Sequence, residues 1–167
     1  MGNPGRQDQK NAIATLLATA QVGGQQAIPT ARIYTYEPNP DTPELANTVY
    51  AIVSLYIQKS HQIAAGGQGI RQRDTKYLVH LLQRLTAIAE QDNATLAQRQ
   101  TAFDAIADAV QNTLEAAGHV GTDGTGQPLV LKFGTGPIDI LDDVPKPDGD
   151  RMVFSTLFVV NGYNVKF

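Results

Sequence analysis

The chain contains no cysteine. Disulfides, cysteine-ligated zinc and thiol catalysis are therefore excluded. Charge is scarce as well: charged residues make up 17% of the 167, against roughly 25% in an average globular domain. Thirteen Lys plus Arg stand against 16 Asp plus Glu, for a net charge of −3. No basic excess marks a dedicated nucleic-acid binder. No apolar run approaches the roughly 18 residues of a membrane span. Residues 1–10 are polar and lack the apolar core of a signal peptide. Serine is rare, with Ser54, Ser60 and Ser155, and none sits in a GxSxG elbow. His61, His80 and His119 share no metal-ligand spacing and form no HExxH. The glycine-rich stretches 65–69 and 121–126 lead into no Lys-Ser or Lys-Thr, so neither is a Walker loop. Asp139, Asp142, Asp143, Asp148 and Asp150 are interrupted by prolines and lack the closing Glu of a calcium loop, so they read as a polar turn. The expectation is a protein without catalytic residues, metal or cofactor.

Apolar residues reach 42%, and a chain of this size buries roughly two thirds of its unfolded surface. One domain over residues 1–167 follows. With few charges, its polar surface consists largely of Gln, Asn and Thr, and such a surface tolerates burial against another protein.

Hydrophobic period orders the elements. Ile13, Leu16, Leu17 and Ala20 share one helical face, opened by Asn3-Pro4 or Asp8 and closed by Gly23-Gly24. Residues 31–37 (ARIYTYE) read as a strand. Three prolines in 38–43 force an extended loop. Residues 47–59 (NTVYAIVSLYIQK) read as a strand with Val49, Ala51, Val53, Leu55 and Ile57 on one face. Residues 61–74 (HQIAAGGQGIRQRD) read as part of a flexible loop near 61–75. Residues 76–89 are open between helix and strand: Leu78, Leu81, Leu82, Leu85 and Ile88 make a helical stripe, whereas Tyr77, Val79 and Leu81 alternate.

The clearest helix spans residues 96–117, with Leu96, Phe103, Ile106, Ala107, Val110 and Leu114 on its apolar face. Thr95 with Gln98 forms a capping-box pattern there, and Gly118 ends the helix. Residues 120–126 read as a loop, 129–133 as a short strand, and 134–147 as irregular, anchored by Ile138, Ile140 and Leu141. Residues 145–150 make a turn, and 151–160 the strongest strand, with Met152, Phe154, Phe158 and Val160 inward. Asn161-Gly162 signals a hairpin, leaving 161–167 as a short return strand or C-terminal arm. The order does not alternate strand and helix. It predicts an α+β fold: a mixed, largely antiparallel sheet with helices on one face, long loops and a C-terminal arm.

The opening helix before ARIYTYEPNP and the strand TVYAIVSLYIQKS begin a distinctive order of elements. The glycine loop GGQGIRQRDTKYLVHLL, the late helix AFDAIADAVQNTLEAA and the final strand RMVFSTLFVVNGYNV complete it. In that order and texture, over most of its length, the chain resembles the tail terminator (tail completion) proteins of tailed bacteriophages. The helical stripe of residues 76–89 departs from that pattern. The resemblance implies an α+β subunit of a hexameric ring that caps the tail tube, stops its growth and joins it to the head connector. Its partners would be other copies of itself, the tail tube protein, the connector or neck protein, and genomic DNA passing through the lumen unbound. It implies a virion location after assembly in the host cytoplasm, and no membrane. A slightly acidic lumen suits DNA passage. Loop length and position nominate Gly66, Gly67, Gly69, Arg71, Arg73, Tyr163, Val165 and Phe167 as interface residues. Another neck or head-tail joining protein is the near alternative. A small-molecule or carbohydrate-binding α+β module, with Tyr34, Tyr36, Tyr50 and Tyr56 as aromatic contacts, is the alternative of a different class.

Overall fold

Helix α1, Arg6–Leu17, starts where Gly5 donates its backbone N–H to the Asp8 carboxylate at 3.1 Å. That carboxylate also lies favourably at the positive end of the helix dipole. A computed structural model describes residues 5–62, 71–122, 128–131, 138–142 and 144–166. The helix buries Gln9, Ala12, Ile13 and Leu17, and it ends at Leu17 rather than at the glycine pair. Gly23 and Gly24, at φ 61° and 80°, instead make the turn between strands β1, Gln21–Val22, and β2, Gln25–Gln26. Two successive positive φ angles suit a tight hairpin, whereas a helix end uses one.

The strand expected over 31–37 shrinks to β3, Ile33–Tyr34, because a 3₁₀ turn at Thr30–Arg32 occupies its start. Strand β4, Val49–Gln62, pairs antiparallel with β5, Arg71–Thr86. Period 2 therefore prevails over the leucine stripe in 76–86. Tyr77, Val79, Leu81 and Leu85 face the helices, and Leu82 joins a second cluster on the opposite face. Pairing on both sides of β5 satisfies its whole backbone, which outweighs a marginal periodic preference. The loop expected near 61–75 is shorter than its sequence suggests: His61, Gln62 and residues 71–75 lie in the two strands. Residues 63–70 are outside the described residues.

Helix α2, Asn93–Ala116, is capped by Asp92, whose carboxylate accepts the Thr95 N–H at 2.7 Å. The Thr95–Gln98 box is thus displaced by one turn, since an Asp placed before Thr95 is the better cap. Phe103, Val110 and Leu114 are buried, with Leu96, Ile106 and Ala107 half-buried beside them.

Four short strands follow: β6, His119–Thr122; β7, Pro128–Leu131; β8, Asp139–Asp142; and β9, Lys146–Asp148. The loop reading of 120–126 fails at its start, where Val120 is a buried strand residue. Of the three anchors in 134–147, Ile138 is buried and Ile140 half-buried, but Leu141 is 60% exposed. Strand β10, Arg151–Lys166, follows the turn at Gly149, which has φ 62°. It runs straight through Asn161-Gly162, which pair with Lys76 and Thr75 of β5. A dipeptide that accepts positive φ permits a turn but does not require one. Here the ladder with β5 continues, so residues 161–166 are a paired strand and not an arm.

The main sheet runs β3-β4-β5-β10-β7-β6, with β8 and β9 also on β10. Among the described residues its strand pairings are antiparallel except β3 with β4, and Ala46 adds an isolated parallel bridge to Arg84 of β5. Strands β9, β8 and β7 tile the far side of β10 at residues 151–153, 156–159 and 163. Both helices pack on one face, over Phe154, Phe158 and Val160 of β10 and the inward residues of β4 and β5. This is the α+β architecture the element order implied.

Within that core the Tyr77 hydroxyl donates to the Gln9 side-chain carbonyl, and both residues are almost wholly inaccessible. The bond ties α1 to the central sheet. Tyr77→Phe should lower unfolding free energy by about 1–3 kcal/mol, because it strands a buried acceptor; urea denaturation measures this. The Thr95 backbone N–H, and then its hydroxyl, hold the Asp92 carboxyl below the ordinary aspartate range. A lowered folded pKa gives stability that is present above the unfolded value of about 3.9. That stability is lost as pH falls through the lowered one. Asp92→Asn keeps an acceptor without the charge, so its melting temperature should fall less than the parent's between about pH 5 and 2.

Candidate functional site

Strand edges and the helix-free sheet face are where this architecture leaves groups unsatisfied. On the helix-free face, Tyr50, Ile52 and Leu82 are covered by Leu45 from a 3₁₀ turn, with Tyr34 and Val153 at the margin. Tyr34 meets Tyr36 and Tyr50 edge-to-face, at centroid distances of 5.5 and 6.3 Å. Burial pushes the phenols of Tyr34 and Tyr50 above their usual range, so both stay protonated. Tyr50 is thus a core residue, whereas Tyr36 and Tyr56 stand 65% and 61% exposed.

Further along the same face, His80 Nε2 lies 2.7 Å from Ser155 Oγ. Nothing in the sequence pointed to this pair, because the two residues are 75 positions apart and come together only through the β5–β10 register. The pair sits on the sheet with Ile52, Leu82 and Leu157 as its cross-strand neighbours. A nucleophilic serine needs preorganised donors for an oxyanion, and the neighbouring backbone on the β5 side is engaged in the ladder. The arrangement acts as a polar cross-link between β5 and β10.

Two concavities flank the sheet. One, of about 400 Å³, lies between α2 and the β8–β10 pair. Phe103, Phe154 and Phe158 line it together with Asp104, Asp108 and Asp142, with no Lys or Arg among the described lining residues. Thr156 donates to Asp142 at 3.0 Å. The other, of about 460 Å³, runs beside β4 at Ile52, Val53, Ser54 and Leu55. Arg6, Lys10, Tyr36 and Glu37 line it, and Lys10 Nζ donates to the Thr35 carbonyl at 3.0 Å.

These concavities adjoin open strand edges. Strand β3 covers β4 only at Ala51 and Ile52. Among the described residues, the outer edge of β4 from Val53 onward has no partner, and it carries a bulge between Leu55 and Ile57. The outer edge of β8 is likewise unpaired among the described residues.

Of the nominated interface residues, Arg71, Arg73, Tyr163 and Val165 gather at one end of the sheet. Arg71 pairs with Gln62 and Lys166, and Arg73 with Ser60 and Asn164. Tyr163 pairs with Asp74 and Leu131, and Val165 with Gln72. Arg71 and Arg73 are strand residues rather than loop residues. Gly66, Gly67, Gly69 and Phe167 lie outside the described residues. Of the acidic run, Asp139 and Asp142 lie in β8, Asp148 in β9 and Asp150 in the turn, where it accepts the Ala89 N–H at 3.1 Å; Asp143 is outside the described residues. No described helix is long and apolar enough to cross a membrane. No protein-family model and no curated protein matches the chain.

Ser155→Ala removes the hydroxyl from a site where that residue is 9% exposed and leaves His80 without this partner. A loss of about 1 kcal/mol in unfolding free energy is expected, read by urea denaturation, while Ser155→Thr should retain most of the stability.

Proposed function

We propose that this chain is a structural protein of a tailed-bacteriophage tail, the terminator that forms a hexameric ring, caps the tube and joins it to the head connector. One observation carries the reading beyond the resemblance in element order. Among the described residues, four of the five exposed large hydrophobics, Tyr36, Tyr56, Leu141 and Val144, lie at or beside open strand edges, and the fifth is Val22. Unpaired edges with apolar side chains are templates for another chain. A low-charge surface of −3 net charge supports the same reading, since it neither repels neighbouring copies strongly nor holds passing DNA. In this reading the β4–β5–β10 sheet end, with Arg71, Arg73, Tyr163 and Val165, meets the tube or the connector.

The α2–β8 concavity favours a second reading, a small-molecule-binding module. Electron microscopy of the purified protein, alone and mixed with tail tubes, separates the two. Sixfold rings, or caps confined to one tube end, are expected. A monomer that leaves tubes bare at high concentration would overturn the proposal and shift weight to ligand binding.

A further inference from the structure

The two open edges differ in charge and match in direction. Strands β4 and β10 point one way and β5 and β8 the other, because each successive pairing is antiparallel. When two copies lie side by side with their helices on the same face, β8 of one runs antiparallel to β4 of the next. That is the orientation in which a ladder forms most readily.

On the helix-bearing face, the concavity between α2 and β8 carries the carboxylates of Asp104, Asp108 and Asp142, with no Lys or Arg among its described lining residues. The β4 edge presents Arg6 and Lys10 beside the backbone of Ile52, Val53, Ser54 and Leu55, with Glu37 as the one carboxylate among the lining residues. Exposed side chains complete each edge: Tyr36 and Tyr56 on one side, Leu141 and Val144 on the other. Asp104 and Asp108 are four residues apart on one helix, an arrangement that weakens an isolated helix. A cationic neighbour would relieve it.

We propose that copies of this chain associate head to tail, with the β8 edge, Asp139–Asp142, and Val144 of one copy docking on the β4 edge of the next. The inference deepens the assembly reading and rests on it, naming the surfaces by which copies meet. The contact is heterologous, so repeated docking closes a ring or extends a filament according to the rotation between copies. Backbone pairing supplies the attraction, and the opposed charges set which edge meets which.

Two double variants test it: Tyr36→Asp with Tyr56→Asp on the β4 edge, and Leu141→Lys with Val144→Lys on the β8 edge. All four side chains are exposed, so circular dichroism should show both proteins folded. By analytical ultracentrifugation each variant should self-associate at least about tenfold more weakly than the parent. An equimolar mixture should form heterodimers and no larger species, because one intact edge of each kind remains. Cross-linking gives a second readout that does not depend on these variants. The chain has no cysteine of its own, so Tyr56→Cys combined with Leu141→Cys should yield a ladder of covalent multimers with a short bismaleimide. Variants that associate as tightly as the parent, or a mixture that stays apart, would overturn the edge pairing. If rings and tube caps persist in both variants, the pairing fails and the assembly reading stands. If the parent neither associates nor binds tubes, both fall.

Discussion

Everything in this fold is arranged around one ladder, the antiparallel pairing of β5 with β10 over all 16 residues of each strand. It places Tyr77, Val79, Leu81 and Leu85 beside Val160, Phe158, Thr156 and Met152, so one continuous surface meets both helices. It brings His80 to Ser155, and it carries β4 on one flank and three short strands on the other. The Gln9–Tyr77 bond then ties α1 to this surface through a buried polar contact. In an apolar surrounding such a bond specifies one orientation, because any other leaves two buried groups unsatisfied.

The flanks of the ladder explain why the protein has usable edges. On the β4 flank, β3 contributes only two pairs before the prolines at 38–43 carry the chain away. On the β10 flank the covering strands are short and out of step. From Val153 to Thr156 is three residues along β10, whereas from Lys146 back to Asp142 is four. The extra residue falls beside Pro145, which has no N–H to give a ladder. A sheet with a rigid centre and interrupted margins keeps its fold while leaving its margins for contacts between molecules.

Much of the core was legible in the amino-acid pattern. The alternation of Val49, Ala51, Val53 and Leu55, the inward set Met152, Phe154, Phe158 and Val160, and the Phe103–Val110–Leu114 stripe all face the expected side. These are decisions made by nearby residues, where period and burial agree. The misreadings share another cause: each concerns a residue whose local preference allows two outcomes and whose distant partner chooses. Asn161-Gly162 permits a turn, but Lys76 and Thr75 lie opposite and extend the strand. Gly23-Gly24 permits a helix stop, but the hairpin uses both positive φ angles. Arg71 and Arg73 sit in a loop-like composition, yet the strand includes them. The proposed surfaces were legible least of all. Nothing in single residues marks Leu141 as exposed or β4 as an edge; only the strand order does.

The β5–β10 ladder has a consequence for how the protein comes into being. Helix α2 and four short strands are synthesised between its two halves, so its pairs are all distant in sequence. Closing such contacts is slow, because chain entropy is lost before any pairing rewards it. Until β10 leaves the ribosome, the β4–β5 hairpin has one flank of β5 bare and its inward aromatic and aliphatic residues uncovered. A nascent copy thus displays a bare β5 flank as well as the β4 edge, whereas in the finished one β10 covers that flank. Mispairing between neighbouring nascent chains is most dangerous in that interval, and a bulged, lysine-bearing β4 at Tyr56 and Lys59 suits a strand that must wait unpaired without aggregating.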